Sequence, residues 1–329
     1  MEESKKIHKE ATIIDALVIS NWSREVFEDM HRGGLTAANC TCSVWEGFRA
    51  TMTNIARWKR WLRENQDILT QVYTVADIES AKREARVGII LGFQNTYAFE
   101  DRIENIALFY ELGVRFAQIT YNTRNLVGSG CWESRDDGLS DYGREVVGEM
   151  NRLGIVIDLS HVGPKTTEDV IEHSANPVSF THCCPTGLMA HPRNKTDEQL
   201  RRLANRGGFV GVATYPPFLP WGEATTIDNC IEVFEYMINI VGEDAVGIGT
   251  DFTQNQDASF FEWLRRDKGD GRLLVSGPIK AVKNPVGLQR LSEYSNLTDA
   301  MVSRGWSEPM IRKVLGENWL RFLSDVWND

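Results

Sequence analysis

Two histidines stand at the ends of apolar runs: His161 closes IVIDLSH (155–161) and His182 falls near the end of PVSFTHC (177–183). Neutral imidazole ligates zinc and similar divalent ions, and it exchanges protons near neutral pH. A carboxylate, Asp251 in VGIGTDF, ends a third run. Two imidazoles and a carboxylate in one place could hold a divalent ion or move protons around a bond being broken. A lone histidine is ordinarily a satisfied core or rim residue, and His8, His31 and His173 are read that way. Cys183 and Cys184, just after His182, are read as small buried hydrophobes.

Strand ends can converge only if a fold brings them together. Eight apolar runs recur, at 11–20, 40–45, 87–93, 114–121, 155–161, 177–183, 207–215 and 244–252. Most are continuous, the mark of strands covered on both faces, as in parallel sheets. Segments of helical period lie between them. One, 51–69, sets Ile55, Trp58, Leu62 and Leu69 on one face. Gly154 is placed to end a helix, Pro164 to begin one, and Ser307 to cap a last helix that packs Ile311, Leu315, Trp319 and Phe322.

This alternation predicts an α/β fold, a (β/α)8 TIM barrel, as a single domain over 1–329. Residues 253–296 are expected to be a loop-rich insertion over the barrel mouth, and 297–329 the C-terminal helices. No GxGxxG or P-loop follows the first strand, which argues against a doubly wound nucleotide fold. In a barrel the C-terminal strand ends share one face, and here they carry Gln94, Tyr121, His161, His182, Tyr215 and Asp251.

The 329 residues carry a net charge of −10, with no basic clustering. No nucleic-acid or membrane partner is therefore expected, and a small-molecule substrate is. The opening MEESKKIHKE is not of signal-peptide type, and the six cysteines form no CxxC set, so the expected compartment is cytoplasmic with reduced thiols. Ten tryptophans, Trp58, Trp61 and Trp319 among them, suggest surface for a homodimer or higher homo-oligomer.

The stretches LGVRFAQITYN, VIDLSHVGPKTTEDVIEHSANPVSFTHC, HPRNKTDEQL, VGIGTDF and NLTDAMVSRGWSEPMIRKVLGENWLR together resemble the renal (membrane) dipeptidase family of the amidohydrolase superfamily. The resemblance runs from the first strand to the last helix. It implies a metal-dependent (β/α)8 barrel whose members hold two zinc ions. On the matching positions it makes His161 and His182 ligands of one metal, Arg193 the holder of a substrate carboxylate, and Asp251 the carboxylate of the last strand.

This chain departs from that pattern where the other metal would sit. The first-strand motif Asp-Gly-His-x-Asp reads DALVI here, so Asp15 remains but Leu17 and Ile19 take the ligand positions. Gln94 stands at the bridging glutamate and Tyr121 at the substrate-contacting histidine. Two ions bring four positive charges into a pocket stripped of two carboxylates, a deficit of several kcal/mol. At most one zinc or other divalent ion, on His161 and His182, is therefore expected, and a site with none stays open.

Three readings follow. The first is a hydrolase of a small amide, dipeptide or amino-acid derivative, with Asp251 and Tyr121 catalytic and Arg193, Gln94, Asn122 and Tyr215 binding substrate. The second is a metal-independent C–N hydrolase or lyase. Its aromatic-rich, acidic mouth, drawn from Trp45, Trp132, Tyr215 and Trp221, would take an N-methylated or quaternary amine by cation–π contact. The third is a non-catalytic binding protein.

Overall fold

The apolar runs become strands because they are buried on both faces. Every residue of β1 (Ile14–Val18), β2 (Ala37–Ser43), β4 (Val87–Phe93), β5 (Val114–Gln118), β6 (Val156–Asp158), β7 (Ser179–Cys183), β8 (Phe209–Val212) and β9 (Val246–Ile248) is buried. The computed structural model describes residues 2–327. All pairings in its nine-stranded sheet are parallel, in the order β1-β2-β4-β5-β6-β7-β8-β9. The ends of the order meet at the rim. Asp251 N donates to Leu17 O (3.1 Å) and Ile19 N to Phe252 O (2.9 Å). The result is a nearly closed (β/α)8 barrel.

A further strand, β3 (Leu69–Gln71), pairs with β4 off this path. The sequence reading had Leu69 on a helix face. The helix is Phe48–Glu64, and Leu69 N bonds back to Asn65 O before the chain extends. Ile55 and Trp58 do face the core. Gly154 ends its helix in the left-handed conformation (φ 76°). Pro164 opens the next helix, and Ser307 caps Met310 N. The last helix is broken: Glu308–Arg312 and Asn318–Val326 flank a π-helical turn, Lys313–Glu317. A Cβ on Gly316 of that turn would lie 2.5 Å from Thr12 O, so only glycine allows this approach to the barrel.

The C-terminal helix plugs the bottom of the barrel. Trp319 stacks on Phe209 at 3.9 Å and donates its indole N–H to Ile248 O at 3.1 Å. Trp58 and Trp319 are thus core residues and unavailable to any oligomer surface. No described helix is long and apolar enough to cross a membrane.

Two buried aspartates tie neighbouring strands by the same device. Asp158 on β6 accepts Thr181 N (3.0 Å) and Thr181 Oγ1 (2.6 Å) from β7, together with Ser160 N and Oγ. Asp15 on β1 accepts Thr250 N (2.9 Å) and Thr250 Oγ1 (2.5 Å) from beyond β9, together with Leu17 N and the Tyr294 hydroxyl. The second clasp closes the barrel.

Candidate functional site

The rim left open by the C-terminal plug holds a cavity of about 220 Å³. Its walls include Gln94, Tyr121, Asn122, His161, Arg193, Tyr215 and Asp251. His182 lies directly beneath, fully buried, with its Nε2 3.0 Å from Nε2 of His161.

The hydrogen bonds behind this pair fix what it can do. His161 Nδ1 lies 2.8 Å from Asn122 Oδ1, which also accepts from Cys131 Sγ, so His161 Nδ1 is the donor. His182 Nδ1 lies 2.7 Å from Thr181 Oγ1. With Asp158 ionised, Thr181 gives its one hydroxyl proton to Asp158 and must accept from His182. Both Nε2 lone pairs then face each other and demand a positive charge between them. Burial, Arg193 and Lys195 push both imidazole pKa values well below 6.5, and the His182 ring adds to this at His161, so neither is held as imidazolium. His161 and His182 would hold a metal ion here; a proton on Asp158, whose pKa burial raises, would instead reverse the Thr181 bond and let His182 donate to His161. Outer-sphere partners of this kind orient metal-binding histidines.

Asp251 is buried and has φ 60°, as Asn122 has φ 59°. Both are in the left-handed region, which Asn and Asp tolerate best and which recurs at functional sites. Burial pushes the Asp251 carboxyl up to about 7, although Arg193 pulls it down. Tyr121 lies on His161 (centroids 4.2 Å) and edge-on to Trp45 (5.0 Å), and burial keeps its phenol protonated.

Arg193 is fully buried, donating from Nη1 to Ser160 O and from Nη2 to His182 O. It therefore holds the carbonyls beside both histidines. Its Nε has no partner.

Elsewhere the metal-ligand pattern is gone. Ile19 packs with Val44, Trp45 and Tyr121 in an apolar cluster. Gln94 Nε2 donates to Thr41 Oγ1 (2.9 Å), and Asp15 is consumed by its clasp. No group of three or more His, Cys, Asp or Glu among the described residues is disposed to hold a metal. The donors available are the two imidazoles.

The expected acidic mouth is absent. Among the described residues Asp251 is the one carboxylate on a lining that also carries Arg193, Arg265 and Lys280. The chain's negative charge lies elsewhere. Trp132 and Tyr215 line the cavity, but Trp45 stands behind Tyr121, and Trp221 packs against the main core. His8, His31 and His173 are satisfied by local carbonyls and a hydroxyl.

Sequence reasoning missed His191 and Arg265. His191 Nδ1 accepts Arg193 N (3.1 Å), which leaves Nε2–H as its donor on the cavity wall. It lies within HPRNKTDEQL, two residues before Arg193. Arg265 belongs to the covering segment, where no periodic pattern marks a residue as inward-facing. Beyond Ile19 lies a more open cavity of about 280 Å³, where the Glu46 carboxylate is taken by Val44 N and Asn54 Nδ2.

The sequence profile described as membrane dipeptidase (peptidase family M19) matches residues 11–264 and 277–328. Dipeptidase tcpJ of Claviceps purpurea is 28% identical over 285 residues, 84% of this chain and 60% of that protein. An uncharacterized dipeptidase of Schizosaccharomyces pombe is 31% identical over 245 residues, 73% and 53% respectively. The chain thus matches less than two thirds of the length of these curated relatives. The crystal structure of an amidohydrolase from Pseudomonas aeruginosa superposes with a TM-score of 0.97 at 53% identity, covering 99% of each chain.

Proposed function

Since the chain belongs to the membrane dipeptidase family, we propose that it hydrolyses the C–N bond of a small amide bearing a carboxylate, with at most one divalent ion. The observation that carries this reading is the convergence of Asp251, Arg193 and His161 on one cavity, with His182 facing His161 from directly beneath.

His161 and His182 would hold the ion, which when bound supplies Lewis acidity to a carbonyl and acidity to a water. A second ion does not fit, because its place offers the Ile19, Val44, Trp45 and Tyr121 side chains. Asp251, at about 7, is suited to take a proton from the attacking water and return it to the leaving nitrogen. Water thereby adds OH to the carbonyl carbon, and the C–N bond breaks with a proton delivered to nitrogen. Tyr121, held as a phenol, is placed to donate a hydrogen bond to the developing oxyanion. Arg193, a buried cation on the cavity wall, would hold a substrate carboxylate, and Asn122 fixes His161. Gln94 and Tyr215 shape the walls.

A quaternary amine fits less well, since among the described residues Asp251 is the only carboxylate on the cavity lining.

The test is metal content per chain of protein purified without chelator, together with turnover of an amide panel by wild type, Asp251→Asn and His182→Ala. We expect no more than one ion, its loss in His182→Ala, and no turnover by Asp251→Asn. Two ions per chain, or full activity of Asp251→Asn, would falsify the reading.

A further inference from the structure

Two guanidinium groups line the cavity, and neither has a carboxylate. Arg193 is 1% exposed, and its Nε finds no acceptor. Arg265 follows the helix Ala258–Leu264 of the covering segment and is half-buried. Its Nη1 donates to Pro278 O at 2.9 Å, and it forms no ion pair among the described residues. The third cation of the rim, Lys280, is already paired with Glu223. Arg193, withdrawn from water with Asp251 as the one acid on its cavity wall, and Arg265, half-buried without an ion pair, are both open to an anionic ligand.

The two groups are joined by an aromatic wall. Arg193 Cζ lies 5.3 Å from the centroid of Phe218, and Phe218 packs on Tyr215 at 4.8 Å. Arg265 lines the same cavity as Tyr215 and Phe218. A ligand filling the cavity would meet both guanidinium groups on its walls. Among the described residues the lining offers no carboxylate besides Asp251 to receive an ammonium.

We propose that the substrate is an amide with two anionic groups and no free ammonium, one anion held at Arg193 and the other at Arg265. This rests on the hydrolase reading for the words "substrate" and "amide" alone; the two-anion site stands on the geometry. Arg265 is then a specificity residue, remote from the bond being cleaved.

The probes are N-succinylalanine, with two carboxylates and no amine, and N-butyrylalanine, of the same carbon-chain length with one carboxylate. Both are racemic. Binding is read by calorimetry and product by chromatography, for wild type, Arg265→Gln and Arg265→Lys. We expect wild type to bind the succinyl compound about tenfold more tightly, the effect of one charge-assisted contact. Arg265→Gln should lose that preference with N-butyrylalanine affinity unchanged, and Arg265→Lys should keep part of it. The proposal is overturned if wild type shows no preference, if the preference survives in Arg265→Gln, if that variant loses both probes equally, or if neither probe binds. Preferential binding without product would remove the hydrolase reading and leave this one standing. Product from N-butyrylalanine without a preference would do the reverse.

Discussion

Asp251 joins the chemistry of the site to the stability of the chain. Its carboxyl is raised from the ordinary 3.8 to about 7, chiefly by burial. The folded state thus keeps a proton that the unfolded state releases near pH 4. The stabilising contribution is complete below that pH and is lost as the pH rises through 7. Asn at this position has no charge to bury. Asp251→Asn should be more stable than wild type at pH 8, by roughly 2–4 kcal/mol, with the gap closing toward pH 4. Denaturant melts across that range, with chelator present, measure it; a gap constant with pH would contradict the shift. Asp251 was legible from its place at the end of VGIGTDF. Its raised pKa was not, because the desolvation comes from elements far away in the chain.

Strand packing places the histidines through missing side chains. A Cβ on Gly211 would lie 1.9 Å from Thr181 O, and one on Gly249 would lie 1.8 Å from the same oxygen. Strand β7 can therefore carry His182 into the barrel only because both neighbours are glycines. Backbone cannot yield as a flexible side chain can, so Gly249→Ala should cost about 2–4 kcal/mol. It should also weaken divalent-ion binding, by displacing His182. Gly148 is the control: exposed on the helix Asp141–Leu153, with nothing within 4 Å of an added Cβ. Gly148→Ala should stabilise by about 0.5–1 kcal/mol. Equal thermal shifts in the two variants would refute this packing account. The strands themselves were readable as continuous apolar runs. The short β3 was not, because three residues carry no period and two of them are only half-buried.

One side chain reinforces the backbone hydrogen bonds that close the barrel. Asp15 takes hydrogen bonds from Leu17 N, Thr250 N, Thr250 Oγ1 and the Tyr294 hydroxyl, joining the first strand, the last strand and the C-terminal region. Asp15→Ala leaves four buried donors unsatisfied and should destabilise by about 3–5 kcal/mol, against about 1–2 for Tyr294→Phe. Hydrogen exchange should show β1 and β9 losing protection together in Asp15→Ala. Loss confined to β1 would mean that closure rests on other contacts. The family resemblance set Asp15 beside a lost metal motif; in the folded chain its carboxylate does structural work.

The sequence alone determined the (β/α)8 architecture and set Gln94, Tyr121, His161, His182, Tyr215 and Asp251 at the strand ends of one rim, although His182 lies just beneath the cavity that the other five line. Burial on both faces leaves a local record, an apolar run, and strand direction then fixes which end carries which side chain. Only the tertiary structure decided that the two Nε2 atoms face each other at 3.0 Å, that Arg193 grips two carbonyls with Nε left over, and that the mouth is cationic on a chain of net charge −10. Those facts depend on hydrogen-bond direction and on which charges approach through space, and neither is encoded in the order of neighbours along the chain.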